Sequence, residues 1–294
     1  MKKSTLKSRK AKWGYIFLLP WFLIFAVFYA YPLGYGIVAS FTDASLGKMN
    51  FVGLANYRSI FQDQSFWRSL IAMFEYTLIM LPFTVVLPLY FANVLRYHGP
   101  KFNVFAKLLS YMPAVTCSVA LILSWKYLFD PNMGILKSVL SAFGVMHFSI
   151  FDDPRFSIPV MSLMAATTSL GTNLIIYCAA LNGIPKDYYE AAELDGASRT
   201  SQFINITIPL LNSTVVYVFI TSTIAALQIF VIPQLLTGGG PNFKTSTLLL
   251  LIYNTAFGNN QFGYASAIGI ILFLITAVIA VVQFRVTQKD NIEY

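Results

Sequence analysis

Six stretches of this chain, about residues 13–39, 70–95, 104–128, 156–182, 210–236 and 262–284, are apolar over a length that crosses the hydrocarbon of a bilayer. A spanning helix needs about 20 such residues. The six occupy about half of the 294 residues, and no connection between them exceeds about 32. That leaves no room for a soluble domain, which takes about 50 residues or more. Only 11% of residues are charged, against about 25% in a soluble domain. The reading is an all-α integral membrane protein with six transmembrane helices.

The formal charge of +8 does not mark a nucleic-acid binder. Such binding needs a folded basic face, and no polar domain carries one. Lys2, Lys3, Lys7, Arg9, Lys10 and Lys12 instead form a basic tail (1–12) before the first span. With six spans both termini share a side, which holds 13 of the 20 Lys and Arg residues. The positive-inside bias predicts that both termini, including the tail 285–294, are cytoplasmic. The first span is too long for a signal peptide's core and lacks a small-residue cleavage site, so it reads as retained. Trp13 and Tyr15 suit its inner interface, and Pro20 and Pro32 are expected to bend it. Cys117 and Cys178 fall inside spans and form neither a disulfide framework nor a metal-ligand spacing.

The first outer connection (41–69) mixes charges with Phe51, Tyr57, Phe61, Phe66 and Trp67. It reads as an aromatic belt or as a meeting place for an external partner. Glu75, in the second span, is a functional candidate because ionisable groups in a bilayer are costly. It lies near the outer end of its apolar run, where it could reach water. The third span reads as continuous to Trp125 and Tyr127, and the DPNMG turn follows it (130–134). Asp152 and Asp153, adjacent on a loop, define no catalytic site. The fourth span is the most polar. Thr167, Gly171, Leu174 and Cys178 share one helical face, with Thr172, Asn173 and Tyr177 on its neighbour. Two readings compete for these groups: bonding between helices, or a polar solute path, for which Asn173 and Tyr177 are the foremost candidates. Gln228 is the most polar group of the fifth span beside Asn212. TGGGP (237–241) reads as a flexible outer turn; a phosphate-binding loop would need a following GK[ST] and a preceding strand, and neither is there.

The connection 183–209 stands apart. It carries Asp187, Glu190, Glu193 and Asp195 within nine residues, and is far longer than the usual 2–8 residues between bundle helices. Pro185 is placed to open a short helix, with Asp187 and Glu190 near its positive end. Ala191 and Ala192 leave one face nearly flat. Gly196 suits a left-handed helix end, Ser198 or Thr200 can cap a second helix, and Pro209 is expected to begin the fifth span. Such a segment reads as a short helix displayed for another protein to grip.

At this point the residues resemble a known family. Glu190-Ala191-Ala192, then Gly196, Ile206, Ile208 and Pro209, keep the spacing of the EAA loop of permease subunits of binding-protein-dependent ABC importers. Asp195 and Ala197 extend it to the DGA form of sugar permeases. FVGLANY (51–57), WKYLFDPNMG (125–134), IPKDYYEAA (184–192) and LLTGGGP (235–241) are similar to the carbohydrate-uptake branch, of the maltose and multiple-sugar type. Glu75, and Thr167 where relatives often carry tryptophan, depart from it. The resemblance covers nearly the whole chain and implies a permease subunit in a bacterial plasma membrane that imports a sugar or oligosaccharide. It implies a second permease, commonly a paralogue, two ATPase subunits that hold the ATP and Mg, and an extracellular solute-binding protein. It also implies that residues 183–209 form a cytoplasmic coupling loop between helices 4 and 5, with Glu190, Ala191, Ala192, Asp195 and Gly196 in contact with an ATPase. Thr167, Gly171, Asn173, Tyr177, Gln228 and Glu75 are the candidate substrate path.

Two other classes make contrary demands. An ion-coupled secondary carrier for a polar solute predicts paired ionisable groups near midplane, and the spans carry almost none. An intramembrane enzyme predicts a converging set of histidines or carboxylates, whereas His98 and His147 fall in loops on opposite sides.

Overall fold

The computed structural model describes residues 15–45, 49–142 and 149–288; the basic tail, Trp13, His147 and residues 289–294 lie outside the described residues. The helices are α1 (Tyr15–Ser40), α2 (Ala55–Gln62), α3 (Gln64–Arg96), α4 (Pro100–Val115), α5 (Ser118–Leu128), α6 (Ile135–Ala142) and α7 (Pro154–Asn182). Then come α8 (Asp187–Leu194), α9 (Arg199–Gln202), α10 (Asn212–Leu227), α11 (Val231–Leu236), α12 (Leu248–Tyr253) and α13 (Phe262–Gln288). Among the described residues, five helical stretches are long and apolar enough to cross a membrane, or six if the bent pair α4–α5 is one span. Among the described residues the extended pairing is a single antiparallel bridge, Thr42 to Phe51.

The chain divides into two compact units. One comprises residues up to Gln62 with Ile252–Ile271. There the Asn56 amide donates to the carbonyls of Ser40 and Thr42 at 2.9 and 2.8 Å, fixing the turn after α1. Gly263 donates its N–H to Ala44 O, and a Cβ on it would run into the Thr42 carbonyl. The other unit, Asp63–Leu251 with residues from Leu272, holds two apolar clusters. Tyr76, Met80, Ile122, Met161 and Ile232 anchor one of them. Val85, Leu89, Leu174, Tyr177 and Val218 anchor the other.

Several boundaries differ from those read in the sequence, each for a local reason. α3 opens at Gln64 rather than near residue 70, because the Asp63 carboxylate caps it, accepting from Ser65 N–H at 2.8 Å. The third span is broken: α4 and α5 meet at 96°. Pro113 in the last turn of α4 has no N–H for the helix, and Thr116 and Cys117 are extended, with ψ of 143° and 120°. The fifth span is interrupted at residues 228–230. Pro209 does not open it; it lies in the helical run that continues from α9 through Leu210, and the membrane helix starts at Asn212.

The TGGGP turn is tied down rather than flexible. Thr245 Oγ1 donates to Gly240 O at 2.6 Å and lies 2.9 Å from Thr237 Oγ1. The Tyr76 hydroxyl donates to Thr245 O, and Thr247 donates to Ile229 O. Gly238 and Gly239 sit at φ of 62° and 87°, where side chains are disfavoured. Arg68 donates to Asn242 O at 3.0 Å, so the start of α3 and this turn share one end of the unit.

Prolines widen the turn before them in a repeated way, in α1, in α3 and in the run that leads into α10. Tyr31, Leu87 and Ile208 each donate an N–H to the carbonyl five residues back, closing a π-helical turn. Each is followed by a proline: Pro32, Pro88 and Pro209. The wide turn draws carbonyls away from the pyrrolidine ring, which would clash in an α-helix. Pro88 also has no donor for the carbonyl four residues back, that of Thr84. Asn173 of α7 supplies one: its Nδ2 donates to Thr84 O at 2.6 Å and to Ser222 Oγ of α10 at 3.1 Å. One amide thus joins α3, α7 and α10.

Replacing Asn173 with leucine leaves the Thr84 carbonyl and the Ser222 hydroxyl buried without that partner. It is expected to destabilise the unit by about 1–3 kcal/mol, read as an earlier thermal transition in detergent; an unchanged transition would contradict this role. Asp130 yields a pH prediction. Its carboxylate accepts from the N–H groups of Met133 and Asn132, which hold its pKa below the ordinary 3.8. A lowered carboxylate pKa stabilises the turn above the unfolded value and loses that contribution as pH falls through the folded one. Carboxyl-carbon NMR is expected to place the Asp130 midpoint below 3.8, and a midpoint at or above 3.8 would refute the capping account.

Candidate functional site

Between α7 and α10 the chain leaves its long helices and forms α8 and α9. Asp187 and Glu190 occupy the first turn of α8, where negative charge complements the helix dipole. At the other end Gly196 adopts φ of 76°. Its N–H donates to Glu193 O at 3.1 Å, and Ala197 N–H donates to Ala192 O at 2.9 Å. These two bonds are the Schellman closure, which satisfies carbonyls a helix end would otherwise leave open. Asp195 is the residue just inside it. Ser198, rather than Thr200, caps α9, its Oγ accepting from Ser201 N–H at 3.2 Å.

α8 buries a single side chain, Tyr189. Its hydroxyl lies 3.0 Å from Thr207 Oγ1, itself buried. The Arg96 guanidinium, at the end of α3, stacks on the Tyr189 ring with Cζ 3.4 Å from the centroid. Glu190, Ala191, Glu193, Asp195 and Gly196 are exposed, and Ala192 is half-buried. Tyr188 and Leu194 are exposed with them, Leu194 at 91%. The five residues picked from the sequence are therefore one displayed helix and its end. Sequence reasoning missed the parts that hold this helix and the apolar tip it presents. Leu194 was legible as a lone large apolar residue among carboxylates. Tyr189, Arg96 and Gln202 were not, because their meeting is set by tertiary contact.

The candidate path residues lie in different settings. Gly171 lies against the backbone of α4, where a Cβ would run into the Ser110 carbonyl. Asn173 and Tyr177 are buried between helices. Thr167 is half-buried and turns its hydroxyl back to Met164 O at 2.7 Å. Glu75 and Gln228 are exposed. Glu75 lies eleven residues inside α3, about 16 Å along its axis at 1.5 Å per residue, of which the first turns, residues 64–69, are largely polar. A recess of about 250 Å³ lies between α3, α5, α7 and the α10–α11 break, lined among others by Ser118, Trp125, Thr168, Ser169 and Phe230.

Comparisons with known proteins follow the same lines. The family described as binding-protein-dependent transport system inner membrane component matches residues 65–289. The diacetylchitobiose uptake system permease protein NgcF of Streptomyces coelicolor is 32% identical over 279 residues, covering 90% of this chain and 79% of the relative. The multiple sugar-binding transport system permease protein MsmF of Streptococcus mutans is 31% identical, covering 95% of this chain and 97% of its own. In fold, a chain of a bacterial ABC transporter involved in import of the acidic polysaccharide alginate superposes with a TM-score of 0.88 at 21% identity, over 99% of this chain and 100% of that one. The resemblance read from the sequence holds: the chain belongs to the family of inner membrane components of binding-protein-dependent transport systems, the permease subunits of ABC importers.

Proposed function

We propose that this permease carries a sugar or short oligosaccharide inward, and that α8 is the helix through which ATPase subunits drive it. The observation that carries the coupling assignment is the build of α8. It carries acidic residues in its first turn, is closed at its C-terminal end and anchored by one ring, and it presents Tyr188, Glu190, Ala191, Leu194 and Asp195 to a partner. The names of NgcF and MsmF support the sugar assignment. In this reading residues 13–284 form the transmembrane domain and 183–209 its coupling loop, between helices 4 and 5. The excess of Lys and Arg supports a cytoplasmic side for that loop, the basic tail 1–12 and the tail 285–294. ATP and Mg reside in two ATPase subunits, a second permease, by family habit a paralogue, completes the path, and an extracellular binding protein delivers the solute.

The path is best sought among polar groups that this chain leaves uncovered. Asn173, Tyr177 and Gly171 are occupied in packing. Glu75, Gln228 and Thr172 are exposed, and Thr168 and Ser169 line the recess beside Trp125 and Phe230. Hydroxyls with aromatic faces suit a sugar, which offers both hydroxyl groups and an apolar ring face.

The test is recovery of the tagged chain with its companions from its native membrane. Co-purification of an ATPase and a second permease, with uptake in liposomes that requires ATP, is the expected result. Solute movement by this chain alone without ATP would overturn the proposal. Glu190→Lys reverses a charge on the displayed face and is expected to weaken recovery of the ATPase about tenfold, equivalent to about 1.4 kcal/mol. Undiminished recovery would remove α8 from that interface. Gly196→Pro cannot adopt the observed φ and is expected to abolish uptake while the chain still inserts; normal uptake would sink the coupling assignment.

A further inference from the structure

α8 is too short to be a stable helix by itself, since isolated helices below about 12 residues are marginal. It joins its neighbours through the non-helical residues 183–186 and through Gly196 and Ala197. These links transmit force poorly. A rigid connection to the membrane helices must come from side chains, and α8 buries only Tyr189.

What grips Tyr189 is the end of α3. Arg96 is the last residue of α3, and its guanidinium covers the Tyr189 ring at 3.4 Å. Its Nη2 donates to Gln202 Oε1 at 3.4 Å and to the Tyr97 hydroxyl at 3.2 Å. Gln202 is 2% exposed, and its Nε2 donates to Ala197 O, the residue that closes the end of α8. Arg199 of α9 lies over the Tyr97 ring from its own side at 4.5 Å. One guanidinium thus touches the ring that anchors α8 and the side chain that binds the end of α8. A cation held over a desolvated ring is attracted to the ring face more strongly than one at an exposed site. The planar fork can stack and donate in its own plane at once, which an ammonium cannot.

We infer that Arg96 is the positioning residue that ties α8 to α3, so that a displacement of the coupling helix moves α3 as well as the covalently adjoining α7 and α10. The inference rests on the coupling role proposed for α8. α3 is suited to receive such a push. Its π-turn at Pro82–Val86 is held by Asn173 to α7 and α10, so movement of its end reaches the polar centre of the unit.

The test uses the assembled transporter with its ATPase subunits and binding protein, in liposomes. Arg96→Gln removes the charge and the fork. Arg96→Lys keeps charge and stem, and serves if Arg96→Gln does not insert. Three quantities are read for each variant: ATPase recovered with the chain, ATP hydrolysed, and solute taken up per ATP. The expected result is unchanged recovery with uptake per ATP lowered about tenfold in both variants, the loss of a coupling of about 1.4 kcal/mol. Unchanged uptake per ATP would overturn the inference. Loss of ATPase recovery would also overturn it, because the clamp would then shape the docking surface rather than relay its movement. Glu190→Lys, run alongside, separates the two levels. If it leaves ATPase recovery intact, the coupling role of α8 fails. If it weakens recovery while the Arg96 variants stay coupled, only the relay fails.

Discussion

A backbone carbonyl without a donor is costly inside a bilayer, and proline creates such carbonyls wherever it enters a helix. Much of this structure answers that constraint. Widened turns precede Pro32 and Pro88. Asn173 reaches from α7 to the carbonyl that Pro88 cannot pair and reaches Ser222 with the same amide. The third span, with Pro113 near its midpoint, gives up continuity and turns by 96°. What resembles a set of irregularities is one requirement met in three ways. Its consequence is that Asn173, a foremost polar group of the fourth span, is engaged with other helices.

The same accounting explains why α8 can be displayed at all. A short helix that is displayed needs its open carbonyls paired, and the Schellman bonds at Gly196 and Ala197 do this at the C-terminal end of α8. The remaining requirement is an anchor. Tyr189 provides it in three directions: ring face to Arg96, hydroxyl to Thr207, and backbone within the helix. A surface held this firmly at its back can take up force at its front without melting. The front is apolar at Tyr188 and Leu194, between carboxylates. That pairing of rigid mounting and open face distinguishes α8 from an ordinary connection.

The legible parts of this protein were those that a local pattern dictates. Asp187, Glu190, Gly196 and Ser198 lie in the roles their chemistry predicts, because helix ends are closed by neighbours in sequence. The lengths of α1 and α7 were legible for a similar reason, since lipid imposes a minimum apolar length. The break between α4 and α5 was not, because an apolar run does not reveal whether its helix is straight. Nor was the fixing of TGGGP: glycines announce freedom, while Tyr76 and Thr245, far apart in sequence, remove it. Asn173 was recognised as important but its partner was hidden, being a carbonyl freed by a proline on another helix. Arg96 is only one of the 13 Lys and Arg residues counted on the side of the termini, and the fold alone brings it onto Tyr189.

The most direct measurement places a photo-activated benzophenone side chain at Leu194 in the intact transporter. Illumination in native membranes is followed by mass spectrometry of the adduct. The account predicts a cross-link to a nucleotide-binding subunit at the cytoplasmic face. A cross-link confined to lipid or to the extracellular binding protein, with the complex still assembled, would contradict it.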